Sequence, residues 1–220
     1  MLRRRDISFR ILLLLFLTVI LSGCARFATP IVNYGTQMTV NVTLRGNFDV
    51  LKNRYFMVIA TQESFSVPIP PPEGSSLDEF LQPGDPPIVG TIDPYFTNYY
   101  STWHSFIVFG STGYLLSKGP YLSTATPSLE SLAPFTTTSN KISFTVRLEQ
   151  VFGSSIPDTI YFDIVSANYG SGEQKFLKDH IYPPVRSIKV ISGSILEKTD
   201  EVTTGVDPSL DIIDWWVQIQ

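Results

Sequence analysis

Side chains able to do chemistry are sparse in this chain. Histidine occurs twice, as His104 and His180, and cysteine once, as Cys24. A zinc site needs clustered nitrogen and sulfur ligands at short spacings, and the sequence has no such pattern. Asp207, Asp211 and Asp214 fall close together in GVDPSLDIID. Oxygen ligands suit calcium, but the spacing of a calcium-binding hand is missing, so the three acids read as turn and cap residues ahead of a last strand. Ser101 and Ser105 lie near His104. A nucleophile must reach its base, however, and successive residues of a strand point to opposite faces. Asp163 is the one acid set in a strongly apolar run, TIYFDIVSA. Glycoside hydrolysis needs two carboxylates, and Asp163 is alone. Alternation puts it on the face of Tyr161 and Val165, a solvent face if the sheet has a wet side. Gly170-Ser171-Gly172 lacks the strand-to-helix context of a phosphate cradle. These residues predict no catalytic group, no metal and no cofactor.

Binding chemistry has one candidate. YFTNYYSTWHSFIVF, residues 95–109, holds seven aromatic side chains. Aromatic rings offer large, rigid contact area and are enriched at interfaces, and sugar rings stack on them. Seven rings in so short a stretch cannot all be exposed cheaply, so much of the cluster must be core. Where some of it is exposed, Tyr99, Tyr100 and Trp103 are the expected ligand contacts. Trp215 and Trp216 are neighbours, so on a strand one faces in and the other out.

The cysteine belongs to a different kind of feature. Arg3, Arg4 and Arg5 precede an apolar run, Ile11 to Leu21, broken only by Thr18. Ser22 and Gly23 follow, and then Cys24. A positive segment, an apolar segment and a small-residue site make an export signal. The run is 11 residues long, and a membrane-spanning helix needs about 20. Leu21-Ser22-Gly23-Cys24 resembles the lipobox of bacterial lipoproteins. The resemblance covers the first 24 residues and implies cleavage between Gly23 and Cys24, with acylation of Cys24. It also implies a cell-envelope location, anchored to the membrane by lipid. In that class a residue other than Asp after the cysteine, here Ala25, implies the outer membrane of a Gram-negative cell; in other cells the anchor lies on the outer face of the plasma membrane. With its only cysteine acylated, the exported domain has no disulfide and must be held by its core.

Charge narrows the partners. Of 16 basic residues Arg3, Arg4, Arg5 and Arg10 precede Cys24, and of 20 acids only Asp6 does, so the remainder carries 12 bases against 19 acids, a formal charge of −7. Nucleic acid binding wants a basic footprint, so no nucleic acid is expected. The expected partners are the membrane, through the lipid, and an envelope protein or a surface glycan.

The elements that position these residues are strands. MTVNVTLR, residues 38–45, alternates apolar and polar for eight positions, the period of a half-buried strand. RYFMVIATQ, 54–62, is nearly continuous and reads as a strand buried on both faces. Residues 105–109 and 114–117 flank Gly110-Ser111-Thr112-Gly113 as a hairpin. KISFTVRLEQV, 141–151, alternates, with TIYFDIVSA, 159–167, as its expected hairpin partner. Residues 173–180 read as a short helix or loop, 186–196 as a strand bent at Gly193, and 212–220 as a terminal strand. Residues 123–140 read as a Ser/Thr/Pro loop, and 66–94, with eight prolines, as a long loop with one helical turn at 76–81, since proline cannot sit inside a ladder. The predicted organisation is a signal peptide at 1–23, a short tether at 24–36, and an all-β domain at 37–220 with a Pro-rich insertion at about 66–94. About eight strands without covering helices predict a single antiparallel β-sandwich, the alternative being a β-barrel. The expected role is structural, accessory or binding, and not enzymatic. A glycan- or peptide-binding module using 95–109 is the alternative, and a hydrolase the third reading.

Overall fold

The computed structural model describes residues 33–68, 82–84, 92–133, 140–170, 175–181 and 186–220. The signal segment, Cys24, most of the Pro-rich insertion and the helical turn expected at 76–81 lie outside them. Eleven strands are described: β1 Gln37–Leu44, β2 Asn53–Ala60, β3 Ser105–Gly110, β4 Gly113–Lys118, β5 Glu130–Ala133, β6 Lys141–Arg147, β7 Thr159–Asn168, β8 Phe176–His180, β9 Ser187–Lys189, β10 Ile195–Thr199 and β11 Ile212–Ile219. They form two antiparallel sheets, one ordered β10-β11-β1-β6 and the other β5-β4-β3-β2-β7-β8, with β9 sharing the outer edge of β7. This is an all-β sandwich, not a closed barrel.

The two sheets read differently because their surroundings differ. In the four-stranded sheet β1 and β6 alternate strictly, with Met38, Val40, Val42, Ile142, Phe144 and Val146 buried. One face packs and the other is wet, as antiparallel sheets allow. In the larger sheet β2 and β3 are buried nearly throughout. Tyr55, Met57, Ile59, Ile107 and Phe109 meet the first sheet, while Phe56, Val58, Phe106 and Val108 enter a second core on the far side. That second core is roofed by residues 65–68, the helix Ile92–Asn98, the 3-10 turn Tyr100–Thr102 and Tyr121. The continuous apolar run of β2 therefore records a sheet covered on both faces.

Several expected elements are corrected. β6 and β7 are not a hairpin: β6 pairs with β1, and β7 with β2, β8 and β9. The strand at 141–151 stops at Arg147, and Leu148–Phe152 is a short helix that buries Leu148, Val151 and Phe152. That spacing of three and four is helical. Gly153, at φ 66, then turns the chain toward the other sheet. Residues 186–196 are not one bent strand. β9 belongs to the larger sheet and β10 to the smaller, and Gly193, at φ 88, lies in the crossing between them. Phe176–His180 is a strand, and β5 lies within the segment read as a loop.

Asn33–Gln220 forms one compact unit with two distinct ends. At the entry end Tyr34 bridges to Ile191, and the Thr36 and Gln37 N–H groups donate to the Gln220 carbonyl. Gly35 is required there, since a Cβ would collide with Ile219. At the opposite end the Leu44, Asn53 and Asn168 termini of β1, β2 and β7 gather under residues 200–211.

Candidate functional site

Polar side chains converge at the end of the sandwich opposite the chain entry. Residues 200–211 fold back over β8 and are held by carboxylates. Asp179, on β8, accepts the Ile212 N–H at 2.7 Å and the Thr203 hydroxyl at 3.3 Å. Asp211, with no exposed surface, accepts Arg45 Nε at 2.5 Å and the Thr203 N–H at 3.1 Å. Arg45 also donates to the Val206 carbonyl at 2.7 Å. Asp207 accepts the Ser209 N–H and hydroxyl, at 2.8 and 2.7 Å. These hydrogen bonds hold the Asp207 carboxyl below its usual range. Burial does the reverse at Asp179, whose pKa is pushed up to about 6.

Two clefts flank this knot. One, of about 420 Å³, is lined by Lys178, Asp179, His180, Asp200, Glu201 and Thr203 among others. The other, of about 590 Å³, is lined by Asp49, Lys52, Asn53, Asn168, Lys178 and Ser209 among others. Lys178 stands between them. In the second cleft Asn53 Nδ2 donates to Ser209 Oγ at 2.8 Å, and the Tyr55 hydroxyl to the Ser209 carbonyl at 2.6 Å. Asp179, Thr203, Asn53 and Ser209 are already spent on holding the 200–211 segment. Asp207, Asp211 and Asp214 do not converge. Asp207 caps a turn, Asp211 is buried against Arg45, and Asp214 lies on the outer face of β11 opposite Thr43. Among the described residues no group of three or more His, Cys, Asp or Glu side chains is placed to hold a metal ion.

Asp163 is the larger surprise. Its face is not solvent: Asp163 has no exposed surface, because the second core roofs that side of β7. It sits where β8 ends and β9 has not begun, at the outer edge of β7. Arg186, just before β9, donates to Asp163 Oδ2, and His180 Nδ1, at the end of β8, lies 3.6 Å from the same oxygen. Among the described residues Asp163 Oδ1 has no hydrogen-bond partner. Burial lowers the pKa of the Arg186 guanidinium below its ordinary value. Sequence spacing alone could not bring residues 163, 180 and 186 together; the shared edge of β7 does.

The expected ligand rings are placed by the second core. Tyr100 and Trp103 are 1% and 5% exposed, and only Tyr99 is half-buried. Tyr100 lies 4.7 Å from Trp103 between ring centroids, and Trp103 packs against Phe106 and Tyr121. The Trp103 indole N–H donates to the Ser66 carbonyl at 2.7 Å, stitching residues 65–68 to the 3-10 turn. Phe56, Val58, Phe106 and Val108 would otherwise face water, so the rings of 95–103 serve as their roof. His104 is half-buried, stacked on Phe152 at 4.8 Å, with Nε2 3.1 Å from the Val151 carbonyl. No family model, curated protein or solved structure matches this chain. Among the described residues no helix is long and apolar enough to cross a membrane, and Cys24 lies outside those residues.

Proposed function

We propose that the chain is a cell-envelope lipoprotein, anchored through acylated Cys24, whose sandwich acts by binding or bridging and not by catalysis. The observation that carries the reading is the Leu21-Ser22-Gly23-Cys24 site at the end of an 11-residue apolar run, on the only cysteine. Multiple acyl chains give stable anchoring where one gives marginal binding. The tether supports it too. Thr36 is already bonded into the sandwich, and about 12 residues of extended chain reach no more than about 40 Å. Acylation at Cys24 would thus keep the domain within about 40 Å of the bilayer. Asp163, Asp179 and Asp211 each hold a neighbouring segment in place, and Asp207 caps its own turn, so these acids serve the fold. With Ala25 after the cysteine, the anchor would lie in the outer membrane if the cell is Gram-negative, and otherwise on the outer face of the plasma membrane. Membrane lipid, an envelope protein and a surface glycan are the proposed partners.

The test is metabolic labelling with radioactive palmitate, followed by detergent phase partitioning. The wild-type protein should incorporate label and enter the detergent phase. Cys24→Ala should lose the label and remain as the uncleaved precursor. An unlabelled wild-type protein would sink the lipoprotein reading.

A further inference from the structure

The wet face of the four-stranded sheet sets its polar side chains in register across four strands. Alternation and register put one tryptophan in its middle. Trp216 on β11 pairs with Asn41 on β1 and with Glu197 on β10, and Asn41 pairs with Ser143 on β6. One row across the sheet therefore reads Glu197, Trp216, Asn41, Ser143, at a strand spacing of about 4.8 Å. The row beside it contains Gln218 and Thr39, paired with each other in the register. Thr39 Oγ1 lies 2.9 Å from Thr145 Oγ1, and Gln220 Nε2 donates to Gln218 Oε1 at 3.3 Å. Its hydroxyls and amides are thus ordered in rows. The indole of Trp216 is half-buried, while Trp103 and Trp215 are 5% and 0% exposed.

We propose that this face binds a neutral polysaccharide, with Trp216 as the ring on which a sugar stacks. A pyranose has an apolar C–H face for the indole and rim hydroxyls for donors and acceptors beside it. Asn41 and Glu197 stand one strand away on either side of the ring, and Ser143 and Gln218 extend the polar field. Sites of this kind combine an aromatic surface with a few placed polar groups. Charge selects the ligand further. The strands of this face carry Lys141 and Arg147 against Glu197 and Asp214 outward, which balance. An uncharged polymer meets no penalty there, and an acidic one meets an acidic protein. A protein partner fits less well, because interface cores are depleted in serine and charged side chains. The inference extends the binding role proposed above and is independent of the lipid anchor.

The experiment titrates the purified full chain in detergent with laminarin, glucomannan, arabinoxylan and amylose, following tryptophan emission. Polygalacturonate and heparin serve as acidic comparators. Trp103 and Trp215 are buried, so a blue shift reports coverage of Trp216. A saturable shift with at least one neutral polymer is expected. Trp216→Ala should weaken binding at least tenfold, by retention on the immobilised polymer. Asn41→Ala, which leaves the ring and the inner face of β1 untouched, should weaken it severalfold. No response to any of the four neutral polymers, a response confined to the acidic ones, or full retention of Trp216→Ala would each overturn the proposal. Palmitate labelling of the same preparations separates the two readings. A labelled protein that binds no polymer loses this site and keeps its anchor; an unlabelled one that binds does the reverse.

Discussion

Replacing Arg186 by methionine tests the buried ionic cluster most directly. Asp163 has no exposed surface, and Arg186 supplies its one hydrogen bond from within the described residues. Methionine keeps most of the length of the side chain and removes the charge. The buried carboxylate then loses its hydrogen-bonded partner and keeps only His180 Nδ1, 3.6 Å away, and breaking such a buried pair costs about 3–5 kcal/mol. Folded domains have only about 5–15 kcal/mol in total. For a domain of this size that loss should lower Tm on the order of 10 °C. The converse change should be milder. Asp163→Asn leaves an arginine whose side chain is 20% exposed, so its head can turn toward water. The Asp163→Leu, Arg186→Met double variant should recover most of the loss, because a well-packed apolar pair often matches a buried ion pair. The assay is urea denaturation of the purified full chain, followed by near- and far-UV circular dichroism. The reasoning fails if Arg186→Met costs under about 1 kcal/mol, if Asp163→Asn costs more than Arg186→Met, or if the double variant is as unstable as the single.

Two further outcomes follow from the packing. The Asp179 pKa is raised by burial to about 6 in the folded protein, above its ordinary value near 3.9. The folded state therefore binds the proton more tightly, and this group favours folding more as pH falls from 7 through 6 toward 4; Asp179→Asn should flatten that part of a stability–pH profile, and an unchanged slope would refute the assignment. Trp103→Ala should cost about 3–5 kcal/mol through the cavity it leaves and should free residues 65–68 by removing the bond to Ser66, seen as faster amide exchange there; unchanged exchange at 65–68 would show that the indole does not hold them.

Strand positions were legible where one face is wet. β1, β6 and β11 alternate because the outer side of their sheet meets water, and residues 38–45, 141–147 and 212–220 show it directly. The β3–β4 hairpin was legible because Gly110 and Gly113 pair across its turn. Partner choice was not legible. β6 precedes β7 by a short connection, yet the two enter different sheets, and which sheet takes a strand depends on the whole inner surface. The Leu148, Val151 and Phe152 spacing did carry a helical signal, masked by the alternation just before it. β8 gave no signal, since Phe176–His180 is a half-exposed edge without a clear apolar period. The aromatic segment was legible as crowded rings and not as a roof, because that depends on the apolar outer side of β2 and β3. Trp216 was legible as one of two opposed neighbours; the polar rows around it come from β1, β6 and β10 and appear only with the register.

The placement of β1 has a consequence for the order in which the protein comes into being. Met38 pairs with Ile219 on one side and Val146 on the other, so the second strand partner of β1 is made long after β1 itself. A chain that emerges from its N-terminus, from a ribosome or through an export pore, cannot complete the smaller sheet until residue 219 is free. Ring closure over such a separation is slow, and the pairing is non-local. Until then β1 is an alternating strand with an open edge. Such a chain stays threadable until β11 has emerged, and its smaller sheet closes only then.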